Sequence, residues 1–356
     1  MKVFVTTIDG IAQLSERAEQ FAQCDYLFDY SFFVDALAER GATISKLCWQ
    51  EYDLFIKEQS PASLIQPHFD SDLIIHNPLL FQESLRFVLN EQGLEAADAE
   101  VKQLEHRVNN ALYTLVPEKS HGVTVPPHFS REDFRFKDNL PRILRDLHVP
   151  TPRMVDGSSF PYMLKHKRSC RGRDVYQIHN NTDLLAAFAQ MAQRDQPLED
   201  FILQELIQIP TRAPSYFRVI CYGPAIVGSA IYYAPPFRST ALVLDEKQKI
   251  GQEEFYLLHA YGMKEPKLPS AMATYAQRIG AYAAAHGTKL VAMDFVVDKN
   301  GTSYCVDINR DPGLEFFAVK GCTNDIEAVK KIAGGAYAEA AFQNVSRKTR
   351  RALAHT

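Results

Sequence analysis

The sequence predicts an α+β protein that begins with an open α/β domain, and three observations indicate this class. The first predicted elements are a strand, a helix and two further strands: MKVFVTT, SFFVDALAERG, ATISKLCW and DLIIHNP. Strands and helices keep alternating toward the C-terminus. In the second half, antiparallel hairpins join the pattern, for example on either side of Gly223-Pro224. A purely parallel sheet would not contain such hairpins.

The bulk composition excludes several classes of protein. A chain of 356 residues is long enough for two or three domains. Its formal net charge of −4 gives no bias toward nucleic acid or an anionic membrane. No apolar run approaches the ~18–20 residues of a membrane-spanning helix, and the apolar run at the N-terminus is too short for a signal-peptide core. The 6 cysteines lack metal-binding spacing, which predicts reduced thiols in a cytoplasmic protein.

The N-terminal elements are predicted from local signals. Gly41 follows the first helix at the position where a left-handed residue usually ends one. Apolar residues recur at three- and four-residue steps over 92–115, which predicts an amphipathic helix. The segment 116–130 is rich in Pro and polar residues, so we expect a first domain over 1–120.

Two further lobes are predicted after this boundary. Ser130 and Asp133 form a capping-box pattern. The elements that follow are a helix, turn and strand over 137–155, two strands over 160–178 separated by a basic loop, a helix capped by Thr182, a strand over 200–209, a hairpin over 216–234, a helix ending at Gly287 and a last hairpin over 289–309. They suggest a central lobe over 121–206, a C-terminal lobe over 207–345 and a basic tail over 346–356.

The last hairpin brings oxygen-bearing side chains together. Asn300-Gly301 is a strong signal for a two-residue hairpin loop. That loop would place Asp294 directly opposite Asp307, with Asn309 on the same face. Two opposed carboxylates destabilise a hairpin unless a cation lies between them, and hard oxygen ligands suit Mg²⁺ or Mn²⁺.

The alternative for this hairpin is a pair of solvated acids on an exposed face. Under the metal interpretation, Asp307→Asn should abolish activity. It should also raise stability without metal by a few tenths of a kcal/mol, because the opposed like charges are gone.

The basic loop KHKRSCRGR (165–173) is a candidate anion site. Lys165 ends a predicted strand, and Gly172 would let backbone amides approach an anion. A nuclear-localisation signal, a nucleic-acid patch and a solvated turn are the alternatives. The chain contains neither a Walker A pattern nor a G-x-G-x-x-G fingerprint.

The order of these motifs resembles the ATP-grasp superfamily, most of all the branch with glutathione synthetase, D-alanine–D-alanine ligase and the glutamate ligases that modify ribosomal proteins. The resemblance covers roughly residues 130 to 320. It rests on KDNLPRILRDLHVPTP, YMLKHKRSCRGRDV, FILQELI, SYFRVICYG and the pair MDFVVD with VDINRDPGLE.

This resemblance implies two α+β lobes that clasp a nucleotide, with ATP and Mg²⁺ or Mn²⁺ as cofactors. The implied site residues are Lys137, Lys165, Arg171, Gly172, Gln204, Glu205 and Leu206 for ATP, Asp294, Asp307 and Asn309 for the metal, and Arg218 and Arg310 for catalysis. The implied partners are small carboxylate and amine substrates of amino-acid type, without nucleic acid or membrane, and a homodimer is one conceivable assembly.

The implied reaction joins a carboxylate and an amine through an acyl phosphate and releases ADP and phosphate. A kinase-like protein and a non-catalytic nucleotide-binding module are the alternatives. The loop from Arg168 to Arg173 should be mobile until nucleotide orders it.

Three positions depart from the family pattern. Asp307 replaces a more usual Glu, and Tyr216 stands where an acid is common. Arg310 would contact substrate or form an ion pair with Asp311.

Overall fold

The protein is described here by a computed structural model. The described residues are 1–8, 31–58, 60–93, 97–116, 119–122, 137–167, 174–209, 216–232, 267–310, 317 and 326–354.

The described residues form helices and strands in an alternating order. The helices are α1 (Ser31–Glu39), α2 (Trp49–Glu58), α3 (Pro61–Ile65), α4 (Pro78–Glu91), α5 (Asp98–Leu115), α6 (Leu140–Asp146), α7 (Asn181–Gln193), α8 (Ser270–Ala285) and α9 (Ile326–Ala354). The strands are β1 (Lys2–Ile8), β2 (Thr43–Leu47), β3 (Leu73–His76), β4 (Ser120–Gly122), β5 (Tyr162–His166), β6 (Val175–Ile178), β7 (Phe201–Glu205), β8 (Tyr216–Tyr222), β9 (Ala225–Tyr232), β10 (Leu290–Val297) and β11 (Ser303–Arg310).

The first sheet is parallel, in the order β2-β1-β3-β4, as the α/β start of the sequence predicts. Parallel sheets are covered on both faces, and successive residues point to opposite faces. Accordingly, Phe4 and Ile74 face a core built with α2 to α5, whereas Val3 and Ile75 face a core that includes α1 and α9.

The helix predicted over 92–115 begins later than expected, at Asp98. Helix α4 already occupies 78–91, and Gly93 has a φ of 69° that a helix cannot continue through. Helix α5 is therefore separate from α4, which ends before the predicted helix begins.

The second sheet is antiparallel, in the order β6-β5-β7, and α7 packs against it. The predicted cap of α7 at Thr182 is wrong. The side chain of Asn180 caps the helix instead, by accepting a hydrogen bond of 3.1 Å from the backbone N–H of Asp183. Asn is a preferred cap because its side-chain oxygen reaches an otherwise unpaired N–H of the first turn.

The third sheet is antiparallel, in the order β11-β10-β8-β9, and its β8–β9 hairpin turns at Gly223-Pro224 as predicted. One face packs against α6 and α8. The other face carries Ile220, Tyr222 and Ala292 into the core that contains β1, α1 and α9. The third sheet and the first sheet therefore share a hydrophobic core.

Helix α9 continues through Ala354, so the backbone of the basic segment 346–354 is helical. The predicted division into domains remains a prediction. Within the described ranges, none of the helices has both the length and the hydropathy that crossing a bilayer requires.

Candidate active site at the junction of two sheets

The β10–β11 hairpin pairs Asp294 with Asp307, in the register that the sequence predicts. The loop, however, is not the expected two-residue turn. Asp298 N–H donates to Thr302 O at 3.0 Å, so residues 299–301 form the loop. This longer loop shifts the pairing by one residue, and a β-bulge between Asp294 and Phe295 shifts it back.

The bulge decides which side chains face the candidate site. Phe295 pairs with Cys305, whereas Asp294 pairs with Asp307, so Val306 is the extra residue on β11. Cys305 and Ile308 both point into the core under α8. Asp307 and Asn309 point to the opposite face, because the bulge changes the alternation between Cys305 and Asp307.

Arg218 holds the first carboxylate. It pairs with Asp294 across β8 and β10, and its Nε and Nη2 donate to Oδ1 and Oδ2 of Asp294 at 2.7 and 2.9 Å. Asn309 Nδ2 adds a hydrogen bond of 3.3 Å to Oδ2. Because Asp294 is only 3% exposed, this two-point pairing compensates a nearly buried charge.

Lys137 holds the second carboxylate, from a different part of the fold. Its Nζ lies 2.6 Å from Oδ2 of Asp307, and the lysine side chain is 9% exposed. The backbone N–H of Lys137 donates to Lys167 O at 3.1 Å, just beyond β5. Lys137 therefore lies where the second and third sheets meet.

These two ion pairs remove the repulsion that the sequence predicted within the hairpin. Asp294 and Asp307 do lie opposite each other, but each has its own cation. Repulsion between the two carboxylates is therefore compensated within the chain, and the metal site stays a prediction.

Lys165 ends β5 and belongs to the same cluster. Burial, together with the positive charge of Lys137, lowers the pKa of its ammonium group to about 8, although the charges of Asp307 and Asp294 partly oppose this change. Because Lys165 lies near other cations and partly away from water, its environment favours a bound anion. Such an anion would stabilise the charged form of Lys165.

The strand β7 carries Gln204 and Glu205, and Leu206 follows directly after it. Gln204 is buried and pairs with Met163 on β5. The carboxylate of Glu205 accepts hydrogen bonds from the backbone N–H and the Nε of Arg153, at 3.0 and 2.8 Å. The Glu205 side chain is therefore directed toward Arg153.

Some predicted site residues lie outside the described part of the chain. Arg171 and Gly172 fall in 168–173, as does the loop expected to be mobile. The backbone of Arg310 pairs with Val291, and its side chain is not described. The capping box at Ser130 also lies outside the described residues.

The sequence did not reveal two of the contacts. Arg153 binds Glu205 from 52 positions away, and Lys137 binds Asp307 from 170 positions away. No local pattern encodes pairs at such separations, because only the tertiary fold brings these side chains together.

The donor atoms at the hairpin fit a hard divalent cation. Asp294 and Asp307 offer carboxylate oxygens, and Asn309 turns its Nδ2 toward Asp294, which leaves its amide oxygen for a cation. Among the described residues, no group of three or more His, Cys, Asp and Glu could hold a metal. A Mg²⁺ ion here would therefore need further oxygen ligands from water or a bound phosphate.

Comparisons with known proteins identify the fold. No family model and no curated protein matches the sequence. Among solved structures, the chain is similar to a RiPP-associated ATP-grasp ligase of Chryseobacterium gregarium in complex with ADP and a leader and core peptide, at 10% identity and a TM-score of 0.53 over 96% of this chain and 97% of that one. The ATP-grasp ligase PsnB, complexed with precursor peptide PsnA2 and AMPPNP, gives 12% identity and a TM-score of 0.50 over 97% of both chains.

These likenesses extend over nearly the whole length of each chain, and they show that this protein has the ATP-grasp fold. The fold that the sequence motifs implied is thereby confirmed. The roles of individual site residues remain to be argued from the site itself.

Proposed function

We propose that this protein is an ATP-dependent carboxylate–amine ligase. It would form an amide or peptide bond through an acyl phosphate and release ADP and phosphate. The observation that carries the proposal is the cluster in which Lys137, Lys165 and Arg218 surround the paired carboxylates of Asp294 and Asp307.

This cluster suits phosphoryl transfer to a carboxylate. Such a transfer needs in-line positioning and compensation of charge on the phosphate oxygens, and it needs no covalent nucleophile on the protein. Lys137 and Lys165 would bind phosphate oxygens, and Arg218 would face the reacting acyl group with Arg310. Asp294, Asp307 and Asn309 would hold Mg²⁺ or Mn²⁺, which when bound neutralises charge on the phosphates.

The strand β7 offers a place for the base of ATP. Arg153 engages the carboxylate of Glu205, and the carbonyl oxygen of Arg153 accepts a hydrogen bond of 2.8 Å from the backbone N–H of Glu205. The backbone carbonyl of Glu205 and the backbone groups of Leu206 are therefore the candidates for hydrogen bonds to adenine. Gln204 is buried and would support this strand from behind.

The described thiol nearest the site does not suggest covalent catalysis. Cys305 is buried in the core, and burial raises the pKa of its thiol well above the usual value. A neutral thiol on the core face is a poor nucleophile, which favours direct transfer between substrates.

The substrates we propose are a carboxylate and an amine of amino-acid or peptide type. The two ATP-grasp ligases described above are each named in complex with a peptide. Pairs of amino acids and short peptides are therefore the first compounds to test.

The test is a screen for phosphate release with MgATP and such pairs, followed by chromatography of the nucleotide and the acid. We expect ADP, phosphate and an amide product. AMP and pyrophosphate as main products would contradict the proposal, and a phosphorylated acid without amide would indicate a kinase.

A matched pair of variants ties the activity to the cluster. Asp307→Asn should lower turnover by about 100-fold or more, because a carboxylate that would hold the charge-neutralising metal ion is lost. Asp146→Asn changes a carboxylate on α6 whose side chain is 64% exposed, and it should retain wild-type turnover. Substantial activity in Asp307→Asn would show that the reaction occurs elsewhere.

A further inference from the structure

We propose that the ion pair between Lys137 and Asp307 closes the metal site until nucleotide binds, so that a divalent cation enters only together with nucleotide. This inference rests on the proposed function, because it assumes that phosphate binds at the Lys137 side of the cluster.

The first argument is the occupancy of the carboxylate oxygens. Both oxygens of Asp294 accept hydrogen bonds from Arg218, and Oδ2 also accepts one from Asn309. Asp307 Oδ2 accepts from Lys137 at 2.6 Å, and its Oδ1 accepts from the backbone N–H of Ile308 at 3.1 Å. Each carboxylate oxygen of Asp294 and Asp307 is thus already engaged by a donor.

The second argument is the balance of charge. Arg218, Lys137 and Lys165 bring three positive charges to the two negative charges of Asp294 and Asp307 when all five groups are ionised. A divalent cation alone would enter a cluster with an excess of positive charge. A polyphosphate reverses that excess, after which a cation is attracted.

The third argument identifies the contact that opens. Arg218 and Asp294 lie opposite each other on adjacent strands of one sheet and share two hydrogen bonds, so this pair is held by the sheet. Lys137 reaches Asp307 from another element through a single contact on a flexible stem. The Asp307 side chain is 28% exposed, whereas that of Asp294 is 5% exposed. Lys137 is therefore the cation that can exchange a carboxylate for a phosphate oxygen.

The experiment measures Mn²⁺ binding by electron paramagnetic resonance, with and without AMPPNP, in the full-length protein. Wild type should bind Mn²⁺ weakly alone and about 5–150-fold more tightly with AMPPNP, the usual range of coupling between two sites. Lys137→Met should bind Mn²⁺ at least about tenfold more tightly than wild type without nucleotide, because Asp307 is then free.

Lys165→Met is the matched control, because it removes the same charge from the same cluster without touching the Lys137–Asp307 pair. A smaller gain in Mn²⁺ affinity for Lys165→Met supports the inference. Equal gains in both variants would mean that only net charge matters and would overturn it. If Lys137→Met does not fold, Lys137→Gln removes the charge while keeping a hydrogen-bond donor for Asp307.

The outcomes also separate this inference from the proposed function. If wild type binds Mn²⁺ equally well with and without AMPPNP, the inference is wrong even where ligase turnover is observed. If wild type binds no nucleotide, both the proposed function and the inference fail.

Discussion

At the scale of single residues, Asp294 and Asp307 each depend on a cation from another part of the chain. This changes what removal of one carboxylate does to stability. Asp307→Asn was expected to stabilise the hairpin slightly, but it would leave Lys137 with a side chain 9% exposed and no charged partner at that position. We now expect the free energy of unfolding to fall rather than rise, because breaking a partly buried pair leaves an uncompensated charge.

The pKa of Lys165 leads to a prediction for nucleotide binding. Above pH 8 the unbound protein loses this ammonium charge, since burial lowers the pKa to about 8. The affinity for ADP should therefore fall as the pH rises through that value. Lys165→Arg should abolish the fall, because a guanidinium keeps its charge over this range. Calorimetric titrations between about pH 6.5 and pH 9.5 measure the effect, and an equal slope in both proteins would exclude Lys165 as its origin.

At the scale of single elements, local sequence signals predicted much of the site. The Asn300-Gly301 signal located the β10–β11 hairpin, and the facing of Asp294 and Asp307 followed from it. The signal could not predict the longer loop or the compensating bulge at Val306. The loop length and the bulge depend on which side chains pack in the core. The core under α8 contains both Cys305 and Ile308. The longer loop and the bulge shift the pairing in opposite directions, so Asp294 and Asp307 still face each other as predicted.

Two adjacent glycines test how closely α9 packs on α1. A Cβ added to Gly334 would lie 2.4 Å from the carbonyl oxygen of Phe32, whereas one added to Gly335 meets nothing within 4 Å. Gly334→Ala should therefore destabilise the protein by about 1–3 kcal/mol. Gly335→Ala should stabilise it by up to about 1 kcal/mol through helix propensity. Urea denaturation of both variants measures the difference, and similar values would contradict the close contact of α9 with α1.

At the scale of the whole molecule, α9 connects the two ends of the chain. Tyr337 on α9 is 1% exposed and lies in ring contact with Phe33 of α1 and Tyr222 of β8. The alternation of strands and helices predicted the separate sheets, but it could not predict this shared core. The packing joins residues of β1 and α1 to residues of α9 about 300 positions later, and only the assembled fold brings them together.

This shared core predicts that a change in the last helix is detected in the N-terminal part of the chain. Tyr337→Ala should lower the free energy of unfolding by about 3–5 kcal/mol, the usual cost of truncating a large buried aromatic side chain. The only tryptophan of the chain, Trp49, is the first residue of α2, so intrinsic tryptophan fluorescence comes from this N-terminal part of the chain. In Tyr337→Ala, the unfolding midpoint measured by tryptophan fluorescence should fall. The midpoint measured by far-ultraviolet circular dichroism should fall with it. Leu185→Ala, at a residue of α7 that is 68% exposed, should shift neither midpoint. A tryptophan transition that stays at its wild-type midpoint in Tyr337→Ala would show that the N-terminal part of the chain unfolds independently of α9.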